Sequence, residues 1–193
     1  MLETELIKRL KQKDEEAFRI IFNDNQKKVI NACYRLVNDK DVAQDLTQEV
    51  FIKVWSSIDK FRSDSKLSTW IYRIAVTSSL DYLHAQKRKK RLAFLKYFSE
   101  DEKKQFEIKS PNEQNPDRLI ENEERFKVLN NALNKLPENQ RISFLLSKDE
   151  EMSSKEIAEI LNISVSAVVS LIHRAKKNLE KILFKYYTNT LNN

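Results

Sequence analysis

The chain has 193 residues, 40% hydrophobic and 33% charged, with a net charge of +6 and two histidines. That balance argues against a disordered chain, and no apolar run approaches the ~20 residues a membrane helix needs. There is no glycine, which disfavours phosphate-cradling Gly-rich loops and tight hairpins and leaves helices joined by Asn, Asp, Ser and Pro turns.

The first ten residues, MLETELIKRL, carry an early acidic pair and no apolar core segment, so no secretory signal is expected there. Leu6, Ile7 and Leu10 share one face of a first helix. Asp14 reads as the N-cap of a second, with Ala17, Phe18, Ile21 and Phe22 behind it. Val29, Ala32, Cys33, Leu36 and Val37 continue the stripe. The single cysteine is expected as a buried core residue, with a reactive thiol as the competing reading. NDKD is a turn, with Asp41 as the expected N-cap and Gln44 completing a capping-box variant.

In DVAQDLTQEVFIKVW, Leu46, Val50 and Val54 recur every four residues, and Phe51, Trp55 and Ile58 add a second apolar strip. Asp45, Gln48, Glu49 and Lys53 flank them, which alone reads as a solvated face. FRSDSKLS is a polar break. The next helix runs through TWIYRIAVTSSLDYLHAQKRKKR. Ile71, Ala75, Ser78 and Tyr82 point one way on a helical wheel; Arg73, Thr77, His84, Arg88 and Arg91 occupy a narrow opposite sector. Lys87 to Arg91 are five consecutive cations. Such a stripe suits a phosphate backbone, whose counterions it releases.

From Ser99 to Asp117 six acids face three lysines, and Pro111 and Pro116 fall here; this reads as a flexible linker. Asn115 is the expected cap of the following helix, with Pro116 at its first position and Leu119, Phe126, Leu129, Leu133 and Leu136 as its stripe. Pro137 opens another helix with Ile142, Leu145 and Leu146 inside. In SSKEIAEILNISVSAVVSLIHRAKKNL, Ser153 and Glu156 form a capping box ahead of a short helix, Lys155 to Leu161. Asn162 takes the turn where a positive φ is needed, Ile163 plugs the corner, and Ser164 caps a second helix that buries Val168 and Ile172. Small residue, turn, then apolar at these offsets is the helix-turn-helix pattern, with an ordinary helical hairpin as the rival. Charge favours the former: Arg174–Lys185 holds five cations and one acid, whereas Pro137–Asn162 holds three cations and six acids.

Four ordered motifs, DVAQDLTQEVFIKVW, FRSDSKLSTWIYRIAVTSSLDYLHAQKR, LNKLPENQR and KEIAEILNISVSAVVSLIHRAKK, together resemble the extracytoplasmic-function sigma factors of the sigma-70 family over nearly the whole chain. The resemblance implies an all-α fold of two small helical domains joined by a flexible linker. Residues 1–92 would be a region 2-like domain, 93–115 the linker and 116–193 a region 4-like helix-turn-helix domain. It implies a factor that binds core RNA polymerase, recognises −10 and −35 elements of promoter DNA and helps melt the −10 region. Asp45, Gln48, Glu49 and Lys53 would dock on the polymerase clamp. Trp70, Tyr72, Arg73, Thr77, Ser78, Asp81 and His84 would serve the −10 strand. Among them Thr77, Ser78 and Asp81 would bond base edges and Trp70 and Tyr72 would stack, with a core position competing for Trp70. Lys87, Arg88 and Arg91 would hold duplex phosphates upstream. Ser164, Ser166, Ala167 and Ser170 would enter the −35 major groove, and His173, Arg174 and Lys177 would contact phosphates.

The sequence departs from the family where it has Val169 and Leu171 in place of the usual basic residues, and Ser166 and Ala167 in place of the usual Gly and Thr. Weak or unusual −35 recognition follows, since each lost phosphate contact lowers affinity, with compensation expected from the Lys-rich tail and apolar contact to thymine methyls still open to it. An anti-sigma partner and a cytoplasmic location are expected, with no membrane insertion of its own. Neither a cofactor, a metal site nor catalysis is expected, since no ligand cluster or nucleophile–base pair has recognisable spacing. A linker suits the separation of the two elements: sites about 25 base pairs apart, roughly 85 Å, outreach one globule with a radius of gyration of about 16 Å. The rival reading is a stand-alone helix-turn-helix regulator binding duplex as a dimer.

Overall fold

The computed structural model describes residues 3–98, 120–148 and 152–191. Among these residues every regular element is helical: α1 (Glu3–Lys11), α2 (Glu15–Val37), α3 (Lys40–Ser57), a 3-10 turn (Ile58–Lys60), α4 (Leu67–Phe98), α5 (Ile120–Asn134), α6 (Glu138–Ser147), α7 (Ser154–Leu161) and α8 (Val165–Leu191). The chain divides into two compact units, Met1–Ala93 and Phe94–Asn193.

In the first unit α2 lies against α3 and α1 against α2. Asp14 caps α2 as its position predicts, its carboxylate accepting from the Glu16 and Ala17 amides at 2.9 and 3.1 Å. The turn into α3 differs from expectation. Asn38 closes α2 in the left-handed region and Asp39, not Asp41, caps α3, accepting from the Asp41 and Val42 amides. The left-handed residue comes one position before Asp39, so Asp39 has the extended backbone a cap requires while Asp41 is already helical. Leu36, Leu46, Val50, Val54, Ile58, Ile71 and Val76 are buried together in the core, each stabilising the fold by roughly 1.5–3 kcal/mol.

Helix α4 is fastened at its start by residues distant in sequence. Glu3 accepts a hydrogen bond from the Leu67 amide at 2.7 Å, so an N-terminal acid satisfies a donor that the helix itself leaves open. Trp70 stacks on Phe61, with ring centroids 5.2 Å apart. The helix continues to Phe98, into the segment expected to be linker. The remainder of that linker, the Asn115 cap and Pro116 lie outside the described residues.

In the second unit α5, α6 and α7 pack on α8. Ala132, Leu133, Leu136, Ala175 and Leu179 form a buried cluster, flanked by Phe144, Leu145, Ile182 and Leu183. The α7 capping box forms as expected: the Ser153 amide donates to Glu156 at 2.6 Å and the Glu156 amide to the Ser153 hydroxyl at 3.3 Å. Asn162 has φ 53° and ψ 47°, and α7 and α8 meet at 101°, the crossing of a helix-turn-helix. Ile163 closes the corner less fully than expected, being 36% exposed. Among the described residues no single helix is long and apolar enough to cross a membrane.

Candidate nucleic-acid and polymerase interfaces

Three surfaces carry the expected residues. On α3 the core side takes Ala43, Leu46, Val50 and Val54, which turns Asp45, Gln48 and Glu49 to solvent. Ile52 continues that outward stripe one turn on and is 66% exposed. Sequence reasoning missed it, although its phase was informative: it falls with Asp45, Gln48 and Glu49 and out of step with Leu46, Val50 and Val54. Lys53 is exposed as a residue, but its ammonium donates to the hydroxyl of the buried Ser78 at 2.9 Å. It therefore ties α3 to α4 as well as bordering the stripe.

On α4 the expected −10 residues separate into two groups. Thr77, Asp81 and His84 are exposed, followed by Lys87, Arg88, Lys89, Lys90 and Arg91. The Thr77 hydroxyl donates back to the Arg73 and Ile74 carbonyls at 2.9 and 3.0 Å, leaving its lone pairs outward. Arg73 and Trp70 are half-buried, and Trp70, against Phe61, is both a core residue and a partial surface. Tyr72 and Ser78, expected at the nucleic acid, lie inside the first unit at 7% and 3% exposure. The buried face of α4 is wider than the wheel of Ile71, Ala75, Ser78 and Tyr82 suggests. It includes Tyr72, Val76, Ser79 and Leu80, because α4 is covered by more than one neighbour. Cys33 is part of this layer. Its thiol pKa is pushed up, chiefly by burial, with hydrogen bonds to Ser79 and Thr47 acting the other way.

On α8 the inner face is Val168, Ala175 and Leu179. Ser164 caps the helix, accepting from the Ala167 amide at 3.2 Å, and its hydroxyl lies 3.0 Å from that of Ser166. Ser164, Ser166, Ser170, His173, Arg174 and Lys177 are exposed and Ala167 is half-buried. Of the two residues expected in place of the family's basic ones, Leu171 is half-buried and Val169 stands 54% exposed. Val165, one turn earlier, is 45% exposed.

Both units thus present a helix whose polar and cationic side faces water over an apolar back. A Sigma-70 region 2 model matches residues 21–89, and a Sigma-70, region 4 model matches residues 126–179. The sequence is 33% identical over 177 residues to the ECF RNA polymerase sigma-E factor of Escherichia coli strain K12, covering 91% of each chain. It is 31% identical over 183 residues to the RNA polymerase sigma-H factor of Pseudomonas aeruginosa, covering 93% of this chain and 92% of that one. Two solved structures share the fold at 21% identity. The sigma factor RpoE of Bartonella quintana, crystallised with the anti-sigma factor NepR, has a TM-score of 0.61 over 86% of this chain and 96% of its own. CnrH in complex with the cytosolic domain of CnrY has a TM-score of 0.62 over 95% and 97%.

Proposed function

The chain belongs to the extracytoplasmic-function sigma factors of the sigma-70 family, which bind core RNA polymerase and direct initiation at promoters, and on that premise we propose how its own residues divide the work. Asp45, Gln48 and Glu49, with Ile52 as an apolar anchor, dock the polymerase, bordered by Lys53. An apolar side chain that becomes buried at a contact, with polar groups around it at the rim, has the layout of an interface core and its border. Trp70, Arg73, Thr77, Asp81 and His84 serve the −10 strand, Thr77 and Asp81 bonding base edges. Lys87, Arg88 and Arg91 hold the duplex phosphates immediately upstream. Tyr72 and Ser78 support that surface from inside, Ser78 through its bond from Lys53. On α8, Ser164, Ser166, Ala167 and Ser170 enter the −35 groove while His173, Arg174 and Lys177 contact phosphates.

The observation that carries this division is the placement of the exposed cations Lys87 to Arg91 on α4 directly after a stripe of exposed hydrogen-bonding side chains on the same helix. A duplex gripped by the cations delivers its next bases to that stripe, where unstacked bases gain polar partners. The working boundaries are residues 1–92 and 116–193 as the two domains and 93–115 as the tether. The chain acts without catalysis of its own and in the cytoplasm, where the polymerase is. An anti-sigma partner regulates it; one structural relative, the Bartonella quintana sigma factor, was solved with an anti-sigma factor bound. The stand-alone regulator is the poorer account, since the first unit matches region 2 rather than a sensor domain. Run-off transcription with core RNA polymerase tests the assignment. Start-site-specific product is expected from the unaltered chain, and replacement of Thr77 and Asp81 together by alanine should reduce open-complex formation more than closed-complex binding. Equal loss of both would count against their role at the melted strand.

A further inference from the structure

We propose that Val165 and Val169 form an apolar pair at the start of α8 that selects thymine in the −35 element by its C5 methyl group. The proposal rests on the assignment of α8 as the duplex-reading helix and names what that helix prefers. The core of the second unit is built from the other side of α8, from Val168, Ala175 and Leu179. Neither exposed valine is needed there: they stand 45% and 54% open to solvent. Four residues apart, they lie on one face, and Val169 is followed one turn later by His173 and two turns later by Lys177. The apolar pair therefore occupies the leading turns of a surface whose following turns offer His173, Arg174 and Lys177 to phosphate. Both valines fall inside the segment that matches sigma-70 region 4.

In the major groove guanine, cytosine and adenine present donors and acceptors, and thymine alone adds a methyl group. A valine has no donor or acceptor, so its one favourable base contact is with that methyl. Of the neighbouring hydroxyls, Ser164 and Ser166 lie within hydrogen-bond distance of each other and Ser164 also holds the Ala167 amide, while the exposed Ser170 is left for polar contacts beside the methyl. A basic side chain at position 169 would reach guanine; valine exchanges that contact for a thymine preference.

The test uses the full chain assembled with core RNA polymerase and selects transcribed promoters from a library randomised upstream of the start site. Thymine should be enriched at one or two positions of the upstream element. Replacing those thymines with deoxyuridine, which removes only the methyl, should lower holoenzyme affinity about four-fold, the value of one buried methyl. The double variant Val165→Ser, Val169→Ser should bind the thymine and uracil duplexes alike, and Val169→Arg should shift the selected base toward guanine. Indifference of the unaltered holoenzyme to deoxyuridine, or absence of thymine enrichment, overturns the proposal. If Arg174→Ala and Lys177→Ala still weaken promoter binding in that case, α8 remains the duplex reader and only the methyl preference fails. If those variants also bind normally, the reading of α8 itself fails.

Discussion

Ile52 shows how much a single side chain can disclose once the surrounding helix is placed. An isoleucine 66% exposed one turn beyond Asp45, Gln48 and Glu49 contributes little to the fold and is available to a partner on that stripe. Ile52→Ala is expected to leave the melting temperature within about 1 °C while weakening assembly with core polymerase roughly ten-fold, read by titration of labelled core enzyme. A comparable loss of thermal stability would assign Ile52 to the fold instead. Cys33 is the opposite case. It is fully buried, and burial raises its thiol pKa; only the thiolate attacks. A disulfide reagent at pH 8 is therefore expected to leave the native chain unmodified and to label it stoichiometrically in denaturant. Rapid labelling of the folded chain would show that the layer between α2, α3 and α4 opens readily. At this scale the sequence spoke clearly where the cause is local. Asp14, Ser153 and Asn162 were legible because a cap or a left-handed turn depends on residues within four positions. Tyr72 and Ser78 were not, because the neighbours that cover them come from elsewhere in the chain.

Helix α2 begins at a junction where charge and backbone geometry reinforce each other. The Arg9 guanidinium donates to Asp14 at 2.7 Å and to Glu16 at 2.8 Å, and the bond from Arg9, ahead of that from the Ala17 amide, holds the Asp14 carboxyl below its ordinary value. A carboxyl whose pKa is depressed by folding stabilises the native state above its unfolded pKa and ceases to do so as pH falls through the depressed value. The stability advantage of the unaltered chain over Asp14→Asn should accordingly be full at neutral pH and shrink progressively below about pH 4, measured by urea unfolding across that range. An advantage independent of pH would leave only the neutral capping bond as its source. Helix α4 is the element on which most of the proposed chemistry converges. Its inner face is core from Ile71 to Leu80 and its outer face carries Thr77, Asp81 and His84 before the cations. The alternation was visible as periodicity, whereas its helical start at Leu67 depends on Glu3, an acceptor 64 residues away, which no local pattern announces.

For the molecule as a whole, each of the two units has its own buried core and its own cationic helix segment. Promoter binding by the holoenzyme should therefore show two separable electrostatic contributions. Replacing Lys87, Arg88 and Arg91 by alanine is expected to reduce the slope of log affinity against log salt by about 0.9 for each duplex phosphate contact removed, without altering the base preference of the upstream element. An unchanged slope would remove these three from the phosphate-binding set. The all-helical class, the positions of most helices, the helix-turn-helix and the family were determined by the amino-acid sequence alone. The first three follow from periodicity, capping residues and the lack of glycine, each of which acts over a few residues along the chain; the family follows from the resemblance of four ordered motifs. Tertiary structure alone decided that Tyr72 and Ser78 turn inward, that Lys53 bonds Ser78, and that Ile52, Val165 and Val169 are left in water. These depend on which surfaces of separate helices meet, and a helical wheel reports the phase of a side chain without reporting what covers it.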